Sequence, residues 1–277
     1  FIAASFVREA AHVVAVKDLI RTYGGDMPVI AKIESGEGIR NIDAIIEAAD
    51  GIMVARGDMG VEIPPEEVPL AQKMIIQKCN DLGKPVITAT QMLDSMIRNP
   101  RATRAEITDV ANAILDGTDA VMLSGETAVG KYPIKAVALM SCIALRIERS
   151  MDYQARLEAR RRNRRQNIAD AISLATVQTA HDLDAAAIIC STQSGATARS
   201  IAKYRPEALI IAVCHSEAVV NQLMLTWGVK SVLAKKPDTL EELIDVAINS
   251  AKERGLIKEG DIVAITAGVK TGVPGST

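Results

Sequence analysis

Apolar and polar positions divide the chain into short apolar runs separated by longer stretches with helical spacing. In the first half the apolar runs fall at 1–6, 29–33, 51–54, 85–89 and 120–123. None alternates apolar with polar residues. Each therefore reads as a strand buried on both faces, as in a parallel sheet covered on both sides. Stretches at 41–49, 66–82, 104–116 and 134–150 carry the spacing of amphipathic helices. Repeated βα units of this kind build either a doubly wound sheet or a (βα)8 barrel.

The polar residues after each run separate these two folds. Lys32 and Glu34 close the second run, Arg56, Gly57 and Asp58 follow the third, Thr90 and Gln91 the fourth, and Ser124, Gly125 and Glu126 the fifth. A doubly wound sheet gathers its site at one switch point. A barrel spreads its site around the ring of C-terminal strand ends. The pattern predicts an α/β fold in which 1–151 form a partial TIM barrel with five of the eight βα units. The chain opens without Met inside an apolar run and closes in a turn-rich stretch, 272–277. It is therefore expected to be a portion of a longer chain, with three further units upstream.

Between 155 and 166 lie six arginines and no strand pattern, which predicts a basic helical linker over 152–167. A second α/β pattern follows over 168–277, with helices at 168–182, 196–203, 217–225 and 239–253. Its strands are expected at 186–190, 208–213, 229–233 and 261–266. This reads as a smaller domain with a mainly parallel sheet.

Composition narrows the function classes. Lys+Arg number 32 against 34 Asp+Glu, a net charge of −2, without the basic excess of a nucleic-acid binder. Aromatics are 3%, too few for a base-stacking platform. No apolar run approaches the ~18 residues of a membrane span. Cys79, Cys142, Cys190 and Cys214 form no CxxC pair, so they are expected to be buried thiols in a reducing cytoplasm.

Lys32 and Glu34 are two residues apart at a strand end and point to the same side. With Asp58 from the next strand they give two hard carboxylates suited to Mg2+ or Mn2+. The lysine beside them can neutralise a transferring phosphoryl group or a developing enolate. The plainer alternative is a buried Lys32–Glu34 salt bridge, with Asp58 capping the next turn. Gly57 and Gly60 permit close approach of backbone N–H groups to an anion, and the Thr90 hydroxyl ends its strand among these groups. The run Gly-Glu-Thr-Ala-Val-Gly-Lys at 125–131 imitates a phosphate loop, but Tyr132 stands where the Mg2+-binding hydroxyl belongs. In the second domain Ser191, Thr192, Ser194 and Thr197, with Gly195, join a strand to a helix. They read either as a phosphate cradle or as a capped helix start.

Three motifs carry a resemblance in combination: Ile-Ala-Lys-Ile-Glu at 30–34, Met-Val-Ala-Arg-Gly-Asp-Met-Gly at 53–60 and Thr-Ala-Thr-Gln-Met-Leu at 88–93. With them the chain closely resembles the pyruvate kinase family, of bacterial type, over nearly its whole length. The five βα units correspond to the fourth to eighth of that family's barrel. The resemblance implies transfer of the phosphoryl group of phosphoenolpyruvate to ADP, giving pyruvate and ATP in glycolysis, with Mg2+ (or Mn2+) and K+. It implies that Lys32 stabilises the transferring group and the enolate, and that Glu34 and Asp58 hold the divalent ion. Backbone groups across Ala55, Arg56, Gly57 and Asp58 would bind the substrate carboxylate, with Thr90 beside the enolate carbon and helping its protonation. Ser5 would lie near the monovalent cation. Ser191, Thr192, Ser194, Gly195, Thr197 and Lys270 would bind a sugar-phosphate or nucleotide effector, with Ala196 where some relatives carry a basic residue. A cytoplasmic homotetramer is implied, and this chain alone is expected to be an incomplete, inactive portion. Two other readings stay open: a Mg2+-dependent lyase or aldolase acting on a pyruvate enolate, and a non-catalytic module that binds sugar phosphates.

Overall fold

A computed structural model describes residues 1–162, 167–235 and 239–266. The chain divides into two compact units, Phe1–Met151 and Asp152–Thr277. In the first unit the elements run β1 (Ile2–Ala4), α1 (Ala10–Thr22), β2 (Val29–Ile33), α2 (Gly36–Arg40), α3 (Ile42–Ala48), β3 (Gly51–Ala55) and α4 (Arg56–Glu62). They continue through α5 (Val68–Leu82), β4 (Val86–Ala89), α6 (Arg104–Asp116), β5 (Ala120–Met122), α7 (Gly125–Ala128) and α8 (Pro133–Glu148). The five strands pair in parallel in the order β1-β2-β3-β4-β5. The order never reverses, so all five C-terminal ends line up in chain sequence. That is an arc of a (βα)8 barrel and not a doubly wound sheet.

Side-chain alternation explains why the strands are apolar throughout. Val29, Ala31, Ile33, Ile52, Val54 and Val86 pack on Ile42, Ile45 and Ile46 of α3 and on Ile75 and Ile76 of α5. Each such buried side chain contributes roughly 1.5–3 kcal/mol. The alternate residues Ile30, Lys32, Met53 and Ile87 point the other way, and there the polar strand ends gather. A second cluster places Met92, Leu93 and Met96 against Val110 and Ile114 of α6 and Met140 of α8. Unbranched methionines fill irregular gaps in a core nearly without aromatics.

The other end of the sheet is pinned by two aspartates. Asp50, just before β3, accepts the Val29 N–H at 2.8 Å, and Asp119, just before β5, accepts the Val86 N–H at 3.1 Å. Each satisfies the first donor of the preceding strand and fixes the register that places the site residues. Helix α6 opens on a capping box between Thr103 and Glu106 and stops at Gly117, whose φ of +101° suits only glycine.

The second unit runs α9 (Tyr153–Arg162), α10 (Ile168–Asp182), β6 (Ala187–Thr192), α11 (Ala196–Ala202), β7 (Leu209–Cys214), α12 (Glu217–Leu223), β8 (Val229–Leu233), α13 (Leu240–Glu253) and β9 (Val263–Thr266). Its parallel order is β8-β7-β6-β9. The order reverses at β6, so this sheet is doubly wound, with a switch point between the ends of β6 and β9. Ile188, Cys190, Ile210 and Ala212 face Leu174, Val177, Ala198 and Ile201. Ala187, Ile189, Ile211 and Val213 face Ala247 and Ala251 of α13. The described part of the basic stretch is helical, and it is packed: Leu157 joins the core formed by α10 and α11. A buried ion pair, Lys203 with Asp170, ties α11 to α10.

Cys79, Cys190 and Cys214 are buried, as the sequence leads one to expect, but Cys142 is exposed. Burial pushes the Cys214 thiol up to about 11 and the other two buried thiols further. No helix among the described residues is long and apolar enough to cross a membrane.

Candidate active site

Ser5, Lys32, Glu34, Arg56, Asp58, Thr90 and Glu126 all lie at or just beyond the C-terminal ends of β1 to β5. Lys32 Nζ sits 2.6 Å from Glu34 Oε1 and donates to Ser5 Oγ at 2.8 Å. Glu34 is 1% exposed, and its Oε2 accepts the Phe6 N–H at 2.5 Å. Strand β1 ends at Ala4, before its apolar run does, and Phe6 beyond it has a φ of +51°. Glu34 Oε1 faces the ammonium in a buried place and makes no directed hydrogen bond. The ion pair of the plainer reading therefore forms.

Asp58 is not a cap. Helix α4 starts at Arg56 with Ala55 at its N-cap, and Asp58 occupies the first turn as an exposed residue. The N–H groups of Arg56, Gly57 and Asp58 open this helix without intrahelical acceptors. The Gly57 N–H donates to Thr90 Oγ1 at 2.7 Å. A Cβ at position 57 would lie 3.3 Å from that same oxygen, so glycine sets the closeness of the contact. Thr90 Oγ1 in turn donates to Ala89 O at 2.6 Å. Thr90 does not continue the strand face of Thr88: it has φ +71°, and Gln91 follows at +55°. Thr88 is fully buried and bonds Thr118.

Several polar groups at these strand ends have partners that the sequence does not disclose. The Arg56 side chain is 12% exposed and pairs with Asp109 at 2.6 Å, a residue 53 positions away. It also donates to Thr90 O at 2.7 Å, to Met92 Sδ at 2.7 Å, to Ala89 O at 3.3 Å and to Gln72 Oε1 at 3.4 Å. Glu126 is 1% exposed and accepts the N–H groups of Leu93 (3.0 Å) and Ser124 (2.7 Å). It is the second residue of the run that imitates a phosphate loop. That run folds as the short helix α7, and a Cβ at Gly130 would lie 2.3 Å from Glu126 O, so it offers no anion cradle.

In the second unit, Ser191 and Thr192 end β6 at the switch point. Gly195 follows with φ +79°, and Thr197 lies in α11. The Gly195 N–H donates to Thr192 Oγ1 at 2.9 Å, and Arg199 donates to Ser194 O at 2.9 Å. Ser191 Oγ lies 3.3 Å from His215 Nε2, while His215 Nδ1 lies 3.2 Å from Ala234 O. A carbonyl only accepts, so Nδ1 carries a proton toward Ala234 O and turns Nε2 to the serine hydroxyl. His215 was legible only as a polar residue following a strand. Lys270 lies outside the described residues.

Among the described residues no three His, Cys, Asp or Glu side chains gather as a metal cluster. The candidate metal site is the pair Glu34 and Asp58, from neighbouring strand ends. One buried, undirected carboxylate oxygen and one exposed carboxylate are hard donors of the kind Mg2+ or Mn2+ takes, with waters completing the shell. Ser5 is a single hydroxyl that already accepts from Lys32, so the residues described here do not make a K+ site.

Fold and site together define a βα-barrel protein with a lysine–carboxylate constellation at consecutive strand ends, joined to a doubly wound α/β unit. The family "Pyruvate kinase, barrel domain" matches residues 1–137, and "Pyruvate kinase, alpha/beta domain" matches residues 170–277. A pyruvate kinase of Geobacillus stearothermophilus is 57% identical over 278 residues, covering 100% of this chain and 47% of the relative. One of Clostridium acetobutylicum is 54% identical, covering 100% of this chain and 59% of the relative. A crystal structure of a pyruvate kinase from Cryptosporidium parvum aligns with a TM-score of 0.94 at 45% identity, covering 99% of this chain and 57% of that one. The chain belongs to the pyruvate kinase family, and it spans about half the length of the curated relatives it matches.

Proposed function

We propose that the protein is a pyruvate kinase, a phosphotransferase that moves the phosphoryl group of phosphoenolpyruvate to ADP and yields pyruvate and ATP in glycolysis. The observation that carries this reading is the Lys32–Glu34 pair, 2.6 Å apart at the end of β2, with Asp58 exposed at the end of β3. In this reading Glu34 and Asp58 hold the divalent cation. When bound, that cation neutralises charge on the phosphoryl and enolate oxygens. Lys32 Nζ sits beside the group in flight and offsets its charge, and it stabilises the enolate left when the P–O bond breaks. The first-turn N–H groups of Arg56 and Asp58, with that of Gly57 shared with Thr90 Oγ1, receive the substrate carboxylate. The Thr90 hydroxyl stands beside the enolate carbon, which gains a proton as pyruvate forms. K+ is taken to act with this site as in the family, with no step assigned to it.

The Ser191–Thr197 loop, with Gly195 and Lys270, is proposed to bind a phosphorylated effector, either a sugar phosphate or a nucleotide. Its support is its place at the switch point of a doubly wound sheet, where such ligands bind. A homotetramer in the cytoplasm completes the proposal. The test is pyruvate formation from phosphoenolpyruvate by the protein containing this chain. It should require ADP, stop on chelation and return with Mg2+ or Mn2+. Pyruvate-enolate cleavage independent of ADP would support the lyase reading instead.

A further inference from the structure

We propose that Arg56 is a positioning residue for the proton-transfer half of the reaction. It clamps Thr90 in a backbone conformation that the turn would not hold by itself. The inference rests on the reading above and adds a role for a side chain that touches no substrate.

The peptide groups of Ala89 and Thr90 flank the Thr90 Cα and fix its φ and ψ. The Arg56 guanidinium donates to both of their carbonyls, at 3.3 and 2.7 Å. Thr90 is β-branched and sits at φ +71°, next to Gln91 at +55°. Left-handed backbone is unfavourable for an L residue, and a β-branched one is a true outlier there. Two such residues in succession persist only where neighbours over-determine them. Arg56 supplies that constraint. Its remaining bonds, to Asp109, Met92 Sδ and Gln72, anchor the fork to α6, α5 and the turn itself. The planar fork matters more than the charge, because a lysine ammonium cannot span both carbonyls and the carboxylate in one plane. The Thr90 conformation then decides where its hydroxyl sits, between the Gly57 N–H and Ala89 O.

The test compares Arg56→Lys, Thr90→Ala and the double variant in the full-length protein that contains this chain. Three quantities are read per folded molecule: kcat and KM for phosphoryl transfer, exchange of pyruvate methyl hydrogens with D2O, and the thermal midpoint. Arg56→Lys should lower kcat and methyl exchange together by about 10- to 100-fold, the scale of a misplaced group, with KM changed by less than about threefold. Because Arg56 acts through Thr90, the double variant should be no slower than the slower single variant. Asp109→Asn, which keeps the shape of the anchor and removes its charge, should give a weaker form of the same loss. Unchanged kcat and exchange in Arg56→Lys, with only the midpoint lowered, would overturn the inference, as would losses that multiply in the double variant. If Lys32→Met in the same preparation abolishes transfer while Arg56→Lys does nothing, the function stands and the inference falls. If Lys32→Met and Thr90→Ala both leave transfer intact, the functional reading itself fails.

Discussion

At the strand ends of the first unit, polar side chains reach across to the loop of the neighbouring strand. Glu34 after β2 holds the Phe6 N–H after β1, Thr90 after β4 holds the Gly57 N–H after β3, and Glu126 after β5 holds the Leu93 N–H after β4. Arg56 after β3 reaches forward to the last carbonyl of β4 and the first one after it. In the second unit the loop after β6 is held mostly by itself. Thr192 takes the N–H of Gly195 three residues on, and Arg199 takes the carbonyl of Ser194 five residues back. The contact of Ser191 with His215 reaches the next strand. Chain order accounts for the contrast. An arc of sequential strands brings each end beside the next, whereas a doubly wound sheet opens a crevice at its switch point. Reacting groups need placement within about 0.5 Å, which cross-bracing supplies. A loop closed by local bonds can rearrange without disturbing its sheet, which suits a response to an effector.

The largest expected effect is at Lys32. In the full-length protein Lys32→Met should cut kcat by about three orders of magnitude, roughly 4 kcal/mol in the barrier. The substitution also strands the buried Glu34 carboxylate, so stability should fall by about 1–3 kcal/mol. Activity per folded molecule, from kinetics paired with urea titration, separates the two effects. Normal activity per folded molecule would reduce the pair to a structural salt bridge and erase the contrast between the units.

Glu126→Ala probes the bracing without touching the reacting groups. It deprives the Leu93 and Ser124 N–H groups of their acceptor in a buried place. Unfolding free energy should drop by about 2–4 kcal/mol, read from the urea midpoint. A change below about 0.5 kcal/mol, the level of an ordinary surface site, would mean that the cross-strand bonds do not brace the arc.

Thr192→Val should act more mildly, because it removes a local bond. Stability should fall by about 1 kcal/mol, the net worth of one hydrogen bond. Calorimetric titration with a phosphosugar should show weakened binding, while activity without effector stays unchanged. Unaltered binding would remove Thr192 from the effector site.

The sequence was most legible where side-chain alternation and burial agree. All five apolar runs of the first half became parallel strands, and so did the four of the second unit. The chain-order sheet was foreseen because polar residues close each run. The doubly wound order of the second sheet was not, since short βα units read the same whichever edge of the sheet the chain joins next. Lys32, Glu34 and Thr90 could be picked out by their places at strand ends. The Asp109 carboxylate could not, since it meets Arg56 only after α6 folds back on the arc, and nothing in local spacing links residues 53 apart. Asp58 read as a possible cap because the start of α4 directly after β3 leaves no loop to mark the boundary.

The smallest effect concerns pH and lies in the braces of the first unit. Burial tends to raise the Glu106 pKa, but hydrogen bonds from Ser95 and Thr103 outweigh it, and the carboxyl titrates below its usual value. Glu106 accepts from the Ser95 N–H and hydroxyl, both at 2.6 Å, and from the Thr103 N–H at 2.7 Å, so it joins the turn after β4 to the start of α6. A depressed folded pKa gives stability that is present above the unfolded value, about 4.3 for glutamate. That stability is lost as pH falls through the lower, folded value. Glu106→Gln removes this dependence and keeps an acceptor. The stability difference between wild type and variant should therefore be constant from neutral pH down to about 5 and shrink below about 4. Parallel urea titrations across that range measure it. A difference that grew as pH fell would reverse the sign and show that burial, and not the Ser95 and Thr103 bonds, governs this carboxylate.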